Sequence, residues 1–251
     1  MASIHMATSY PKEVMKAREE HWPVLIPVGN IEYHSDHCPY GTDALIAQGI
    51  AEEVGKRTDC MIMPPVWYGF SSYAVGGPET GTLSTDPDVL ESYIYAILKS
   101  LFRAGFNRNI CLIVAHQTEE FLPQTLACMK AAKKLTFEYL EETRGQGWWG
   151  DNKNAEFYSK LDNAQDNPWN WIRVFNGCRF PNFYPSDHGG KYECGKMEVL
   201  YPGSIKLDRL TKDSSWFAQN SVEMDLEESR KTIERVAETI IEAVKTGKKC
   251  Y

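Results

Sequence analysis

Three short apolar runs constrain this chain more than any other feature: PVLIPVG (23–29), CMIMPPV (60–66) and NICLIVA (109–115). None alternates apolar with polar residues, so each, as a strand, must be covered on both faces. Helical periodicity separates them. DALIAQGIAEEVGKR (43–57) has apolar residues at 45, 46, 50 and 54. DPDVLESYIYAILKSLFRAG (86–105) opens with Asp86 as a cap and Pro87 at the first helical position, and Gly105 closes it. A third helix is expected from about 119 to 143. Strands alternating with helices predict an α/β fold, a parallel sheet with helices on both sides.

The segment 144–186 breaks this rhythm. It is rich in Asn, Gly and Pro and holds four of the seven tryptophans. A loop of that length is functional or disordered, and its aromatic density favours a lid or pocket wall. A long amphipathic helix over 221–246 closes the chain. There is no repeat and no linker, so residues 1–251 are assigned to one domain; the first dozen residues are left out of the fold assignment.

A formal net charge of −7 offers no basic face for nucleic acid and no attraction to an anionic membrane. No run reaches the length of a membrane span, and the N-terminus lacks the apolar centre of a signal peptide. Seven cysteines at irregular spacings, with no CxxC, read as reduced thiols, several of them in apolar runs. The expected compartment is the cytoplasm.

The chemistry gathers in PVGNIEYHSDHCPYGTD (27–43), directly after the first strand. Glu32 and His34 are two apart, so in an extended segment they share a face. Asp43 opens the next helix, where a carboxylate gains from the helix dipole and can bridge two cations. His116 directly follows the third strand. In a parallel sheet the carboxyl ends of the strands share one edge, where ligands bind. Carboxylates together with imidazoles suit Zn, Mn or Fe better than Mg or Ca. Farther on, SDHGGKYECG adds Asp187 and His188 as an acid–base pair, with Glu193 starting a helix. Taken singly, each of these residues is explained as a cap or a surface group; their convergence at strand ends is what marks a site. Cys38 and Cys194 lie inside the same motifs, where packing beside the site is the expected role. Gly76-Gly77 is not followed by a helix in the right place, so no nucleotide site is expected.

These motifs, in this order, resemble the creatininase (creatinine amidohydrolase) family. PVGNIEYHSDHCPYGTD matches P-V-G-x-x-E-Q-H-G-x-H-L-P-x-x-T-D, GGPETGTLS matches a Gly-rich segment ending in P-G-T, LIVAHQ matches a strand ending in N-G-H, and DHGGKYECG matches H-A/G-G-x-x-E-T-S. The resemblance runs over roughly residues 20–245. It implies a three-layer α/β/α sandwich, a site for two divalent ions per chain, hydrolase chemistry on a small molecule through metal-activated water, and a homo-oligomer, often a hexamer. Carried over by position, Glu32, His34, Asp43 and His116 are metal ligands with Asp43 bridging, His188 is catalytic with Asp187 orienting it, and Glu193 is a ligand to the second ion.

The departures from the pattern bear on substrate. Tyr33 replaces Gln, Ser35-Asp36 replaces Gly-x, and Thr118 stands where creatininase has a ligating Glu; Glu193, Glu119 and Asp36 are therefore the candidates for the fifth ligand, in that order. Tyr33, Trp169, Trp171 and Tyr184 are the candidate substrate-contacting aromatics. Opening of a small ring or cleavage of an amide is the leading expectation. Two alternatives stand beside it: hydrolysis of a C–C bond in a cyclic diketone of the 3-dehydro-scyllo-inosose type, and a non-catalytic scaffold with a degenerate site.

Overall fold

The computed structural model describes residues 3–117, 122–164, 166–176 and 187–247. Its sheet has five strands: β1 (Ser3–His5), β2 (Val24–Val28), β3 (Cys60–Ile62), β4 (Ile110–Val114) and β5 (Ile172–Asn176). They lie in the order β1-β3-β2-β4-β5, and every pairing is parallel. The three apolar runs are the three inner strands, as their unbroken hydrophobicity requires.

Successive side chains on a strand point to opposite faces, and each face here has its own core. Val24, Ile26, Val28, Ile110, Leu112 and Val114 pack against α3 (Pro87–Arg103), α4 (Pro123–Arg144) and Ala17 of α1 (Pro11–Glu19). Leu25, Cys111 and Ile113 pack against α2 (Thr42–Gly55) and, together with α6 (Lys191–Leu200) and α7 (Leu226–Thr246), form the second core. This is the expected three-layer α/β/α sandwich. Each fully buried aliphatic side chain contributes roughly 1.5–3 kcal/mol. No helix among the described residues is long and apolar enough to cross a membrane.

Local signals account for the helix ends. Asp86 caps α3, its carboxylate accepting from the amides of Asp88 at 2.8 Å and Val89 at 3.4 Å. Asp225 does the same for α7 through Glu228 N, which makes α7 start later than the expected 221. Pro27 is tolerated inside β2 because its backbone polar side faces the region beyond the end of β3; its carbonyl accepts from Val66 N at 2.9 Å.

Two expectations are corrected. The set-aside N-terminus supplies the edge strand β1 and the helix α1. The described part of 144–186 is not a lid: it supplies the short helix α5 (Ala155–Tyr158) and the strand β5, which pairs with β4 from Ile110↔Ile172 to Val114↔Asn176.

Candidate metal centre

The site lies at the carboxyl edge of β2 and β4. β2 runs into Gly29, where an added Cβ would sit 2.2 Å from Ala44 N. That close approach brings the loop after β2 against the first turn of α2, and so brings Glu32 and His34 to Asp43. His116 arrives two residues past the end of β4. Gly189, at φ +57°, lets the 187–190 turn press on the backbone of His34; a Cβ there would meet His34 O at 2.8 Å.

The resulting cluster is compact and buried. His116 Nδ1 lies 3.0 Å from Asp43 Oδ2 and 3.2 Å from Glu32 Oε2. His34 Nε2 lies 3.3 Å from Asp43 Oδ1 and 3.5 Å from Glu193 Oε2. Three donor sets result: Glu32–Asp43–His116 and His34–Asp43–Glu193, which share Asp43, and Glu32–His34–His188. Each imidazole is oriented from behind by a main-chain carbonyl: His34 Nδ1–H donates to Glu32 O at 2.9 Å, and His116 Nε2–H donates to Phe70 O at 2.8 Å. In the neutral rings this leaves the inward nitrogens as lone-pair donors, the arrangement that orients metal-ligating histidines. Ser71 Oγ–H donates to Glu32 Oε1 at 2.5 Å and fixes that carboxylate.

Without a cation this arrangement is unsatisfied. Among the described residues, buried Glu32 Oε2, His34 Nε2 and Asp43 Oδ2 have no hydrogen-bond partner beyond these imidazole–carboxylate approaches. Burial opposes charge on His34, yet Asp43 and Glu193 outweigh it and raise its pKa to about 10. Burial likewise opposes charge on His116, and Asp43 and Glu32 raise it well above the ordinary histidine value. Burial pushes Asp43 up, but His116 and His34 prevail and hold it below the ordinary carboxylate range. Glu32 is lowered by His116 and Ser71 against its burial, whereas burial dominates at Glu193 and raises it. Carboxylates and imidazoles converging in this way fit divalent cations of borderline softness, which would take the place of the imidazole protons.

His188 stacks on His34, with ring centroids 4.1 Å apart and planes at 27°. Its Nε2 is 2.8 Å from Tyr33 O. Asp187 has a different place from the one expected. Its two oxygens accept from the amides of Tyr192 at 2.9 Å and Glu193 at 3.0 Å, so it caps α6 and thereby places Glu193. Among the fifth-ligand candidates, Glu193 joins the cluster. Asp36 is exposed and accepts from Ser214 Oγ, and Glu119 lies outside the described residues, as do Thr118 and Tyr184.

The two candidate tryptophans, Trp169 and Trp171, are not at the site. Trp171 immediately precedes β5, and its carbonyl accepts from Ile110 N, so it lies at the amino end of the sheet, opposite the carboxylate–imidazole cluster. Trp169 packs on Phe137, Trp148 and Trp149. The aromatics beside the site come instead from a 3-10 helix, Trp216–Glu223. Phe217 meets the edge of His188 at 5.0 Å, and Trp216 next to it is 86% exposed. Tyr33 does stand there, with its hydroxyl accepting from Ser215 Oγ at 3.4 Å. Ser71 and Phe217 carry no sequence signal for the site; the exposed SSWF turn offers only an apolar pair among small polar residues.

The structure is thus a parallel α/β/α sandwich that carries, at its strand ends, a cluster of carboxylates and imidazoles able to hold metal. A family model described as Creatininase, creatinine amidohydrolase, matches residues 7–243, and the chain belongs to this family. It is 23% identical to the creatinine amidohydrolase of Pseudomonas putida over 192 residues, 74% of this chain and 67% of that protein. It is 28% identical to the 3-dehydro-scyllo-inosose hydrolase of Thermotoga maritima over 131 residues; the match spans 52% of this chain but only 40% of the relative. Among solved structures, a creatininase mutant of Zn–Zn type superposes with a TM-score of 0.73 at 19% identity, covering 98% of both chains. A creatinine amidohydrolase-like protein from Bacteroides fragilis superposes with a TM-score of 0.66 at 19% identity, covering 97% of this chain and 96% of that one.

Proposed function

We propose that this chain is a metal-dependent hydrolase that opens a small ring or cleaves an amide, with Glu32, Asp43 and His116 holding one divalent ion and His34, Asp43 and Glu193 a second. The observation that carries this reading is the sharing of Asp43 by two donor sets. Zn, Mn and Fe all suit the donors. Two such ions supply Lewis acidity and lower the pKa of water toward neutrality.

The chain's own residues do the rest. Glu32 O, Phe70 O and Ser71 Oγ hold ligand side chains in place before substrate arrives, so little reorganisation accompanies binding. His188 donates Nε2–H to Tyr33 O, which leaves Nδ1 to exchange a proton with the leaving group. Phe217 limits its movement from the other side. Tyr33 and Trp216 line the approach, where an aromatic face can stack on a planar or polar ring. The matched Pseudomonas relative is named as an amidohydrolase, which supports a C–N bond as the target. The Thermotoga match favours a second reading, C–C hydrolysis of a cyclic diketone. A single domain over 1–251, a homo-oligomer and a cytoplasmic setting belong to the same proposal.

The test is metal content by elemental analysis on wild type and Asp43→Ala, followed by a panel of lactams, cyclic ureas and cyclic diketones. About two ions per chain in the wild type, their loss in the variant, and turnover of one substrate class are expected. A wild type that takes up no Zn or Mn would overturn the metal-dependent reading and favour the scaffold.

A further inference from the structure

Cys38 and Cys194 are 156 residues apart in sequence, and each departs from the family pattern, which has Leu and Thr at the corresponding positions. In the fold the two departures meet. Cys38 Sγ lies 3.3 Å from Cys194 Sγ, and His37 Nε2 lies 3.2 Å from Cys194 Sγ and 3.6 Å from Cys38 Sγ. His37 and Cys194 are buried, and Cys38 is half-buried. The three donor atoms are one of the groups able to hold an ion, and this group shares no residue with the Asp43 sets.

We propose that His37, Cys38 and Cys194 form a separate site for a thiophilic metal ion, Zn2+ or Cu+, with water or a small exogenous donor as any fourth ligand. Around a tetrahedral zinc, with bonds of about 2.3 Å to sulfur and 2.0–2.1 Å to nitrogen, neighbouring ligand atoms lie about 3.5–3.8 Å apart. The three separations here differ from that by a few tenths of an ångström, so an ion enters with small side-chain rotations. Two soft sulfurs and one imidazole select against Mn2+ and Mg2+, which the oxygen-rich Asp43 cluster accepts more readily. The buried His37 Nδ1 has no hydrogen-bond partner among the described residues, while its Nε2 faces the two sulfurs. A bound ion would tie the loop bearing His34 to the helix bearing Glu193, because Cys38 is four residues from the first and Cys194 adjoins the second. The proposal does not depend on the hydrolase reading.

The experiment loads the full reduced chain with excess Mn2+, adds Cd2+ in steps, and follows thiolate-to-Cd charge-transfer absorbance. The expected result is a band that saturates at about one equivalent, persists in Asp43→Ala, and is lost in Cys38→Leu and Cys194→Thr, which restore the family's residues. His37→Gln retains both thiols and should weaken Cd2+ binding by at least about tenfold. Circular dichroism checks that each variant is folded. No band in wild type, a band unchanged in both cysteine variants, or unaltered affinity in His37→Gln would each overturn the site. Loss of the band in folded Asp43→Ala would merge it with the hydrolytic cluster and overturn its separateness.

Discussion

His34 and His188 lie ring on ring, 4.1 Å between centroids, yet they have different back partners: Glu32 O behind His34 and Tyr33 O at His188. Consecutive carbonyls of one strand-end loop thus orient both imidazoles. One ring is wedged among carboxylates, while the other has Phe217 at its outer edge. On the proposed reading, His34 is the ligand of the pair and His188 the proton carrier.

His188→Ala should therefore lower kcat by about 10²–10⁴-fold, the usual contribution of a positioned acid or base. Metal content should stay at the wild-type level. Side-by-side kinetics and elemental analysis check this; loss of both ions would make His188 a ligand rather than a proton carrier.

The charge balance of the centre predicts a pH effect. The folded, metal-free chain holds His34 protonated with a pKa raised to about 10 from 6.5. A raised folded pKa contributes stability that is full below the unfolded value and is lost as pH climbs through the folded one. Thermal melts of the metal-free protein should therefore fall between about pH 6.5 and 10, and the gap to the metal-loaded protein should widen over that window. Metal binding at about pH 8 should release at least one proton, read by calorimetry in two buffers of different ionisation enthalpy. Equal heats in the two buffers would show that the imidazoles are already neutral.

Ser35 follows His34 with φ +68°, and its buried hydroxyl has no partner among the described residues. The family pattern has Gly there. Ser35→Gly removes a left-handed Cβ and an unsatisfied polar atom, so a gain of roughly 1–2 kcal/mol is expected. Urea unfolding measures it, and a loss of stability would mean that the hydroxyl has a role in the native state.

The two tryptophan environments separate folding from selectivity. Trp171, 5% exposed, packs on Tyr139 under Arg108; Trp171→Ala should cost about 3–5 kcal/mol. Trp216→Ala should leave stability within about 0.5 kcal/mol and change KM or the ranking of substrates. A substrate panel with unchanged KM for Trp216→Ala would remove it from the approach to the site.

The sequence by itself determined the middle of the sheet and most of the centre. Strands buried on both faces need unbroken apolar runs, and a parallel sheet must bring the residues after β2 and β4 to one edge. Glu32, His34, Asp43 and His116 were legible for that reason. The remainder depended on partners distant in sequence. β1 has three residues at a sheet edge and too little apolar pattern to announce itself. β5 was hidden because the surrounding tryptophans and asparagines mask a five-residue run, and only its parallel register with β4 shows that Trp171 lies away from the carboxylate–imidazole cluster. Asp187 reads locally as a partner for His188, but α6 turns its oxygens onto two backbone amides. Ser71 on Glu32, Phe217 on His188 and Cys38 against Cys194 are contacts across 39, 29 and 156 residues. Packing alone decides such contacts, because no local spacing or propensity encodes which loops a sheet edge will bring together.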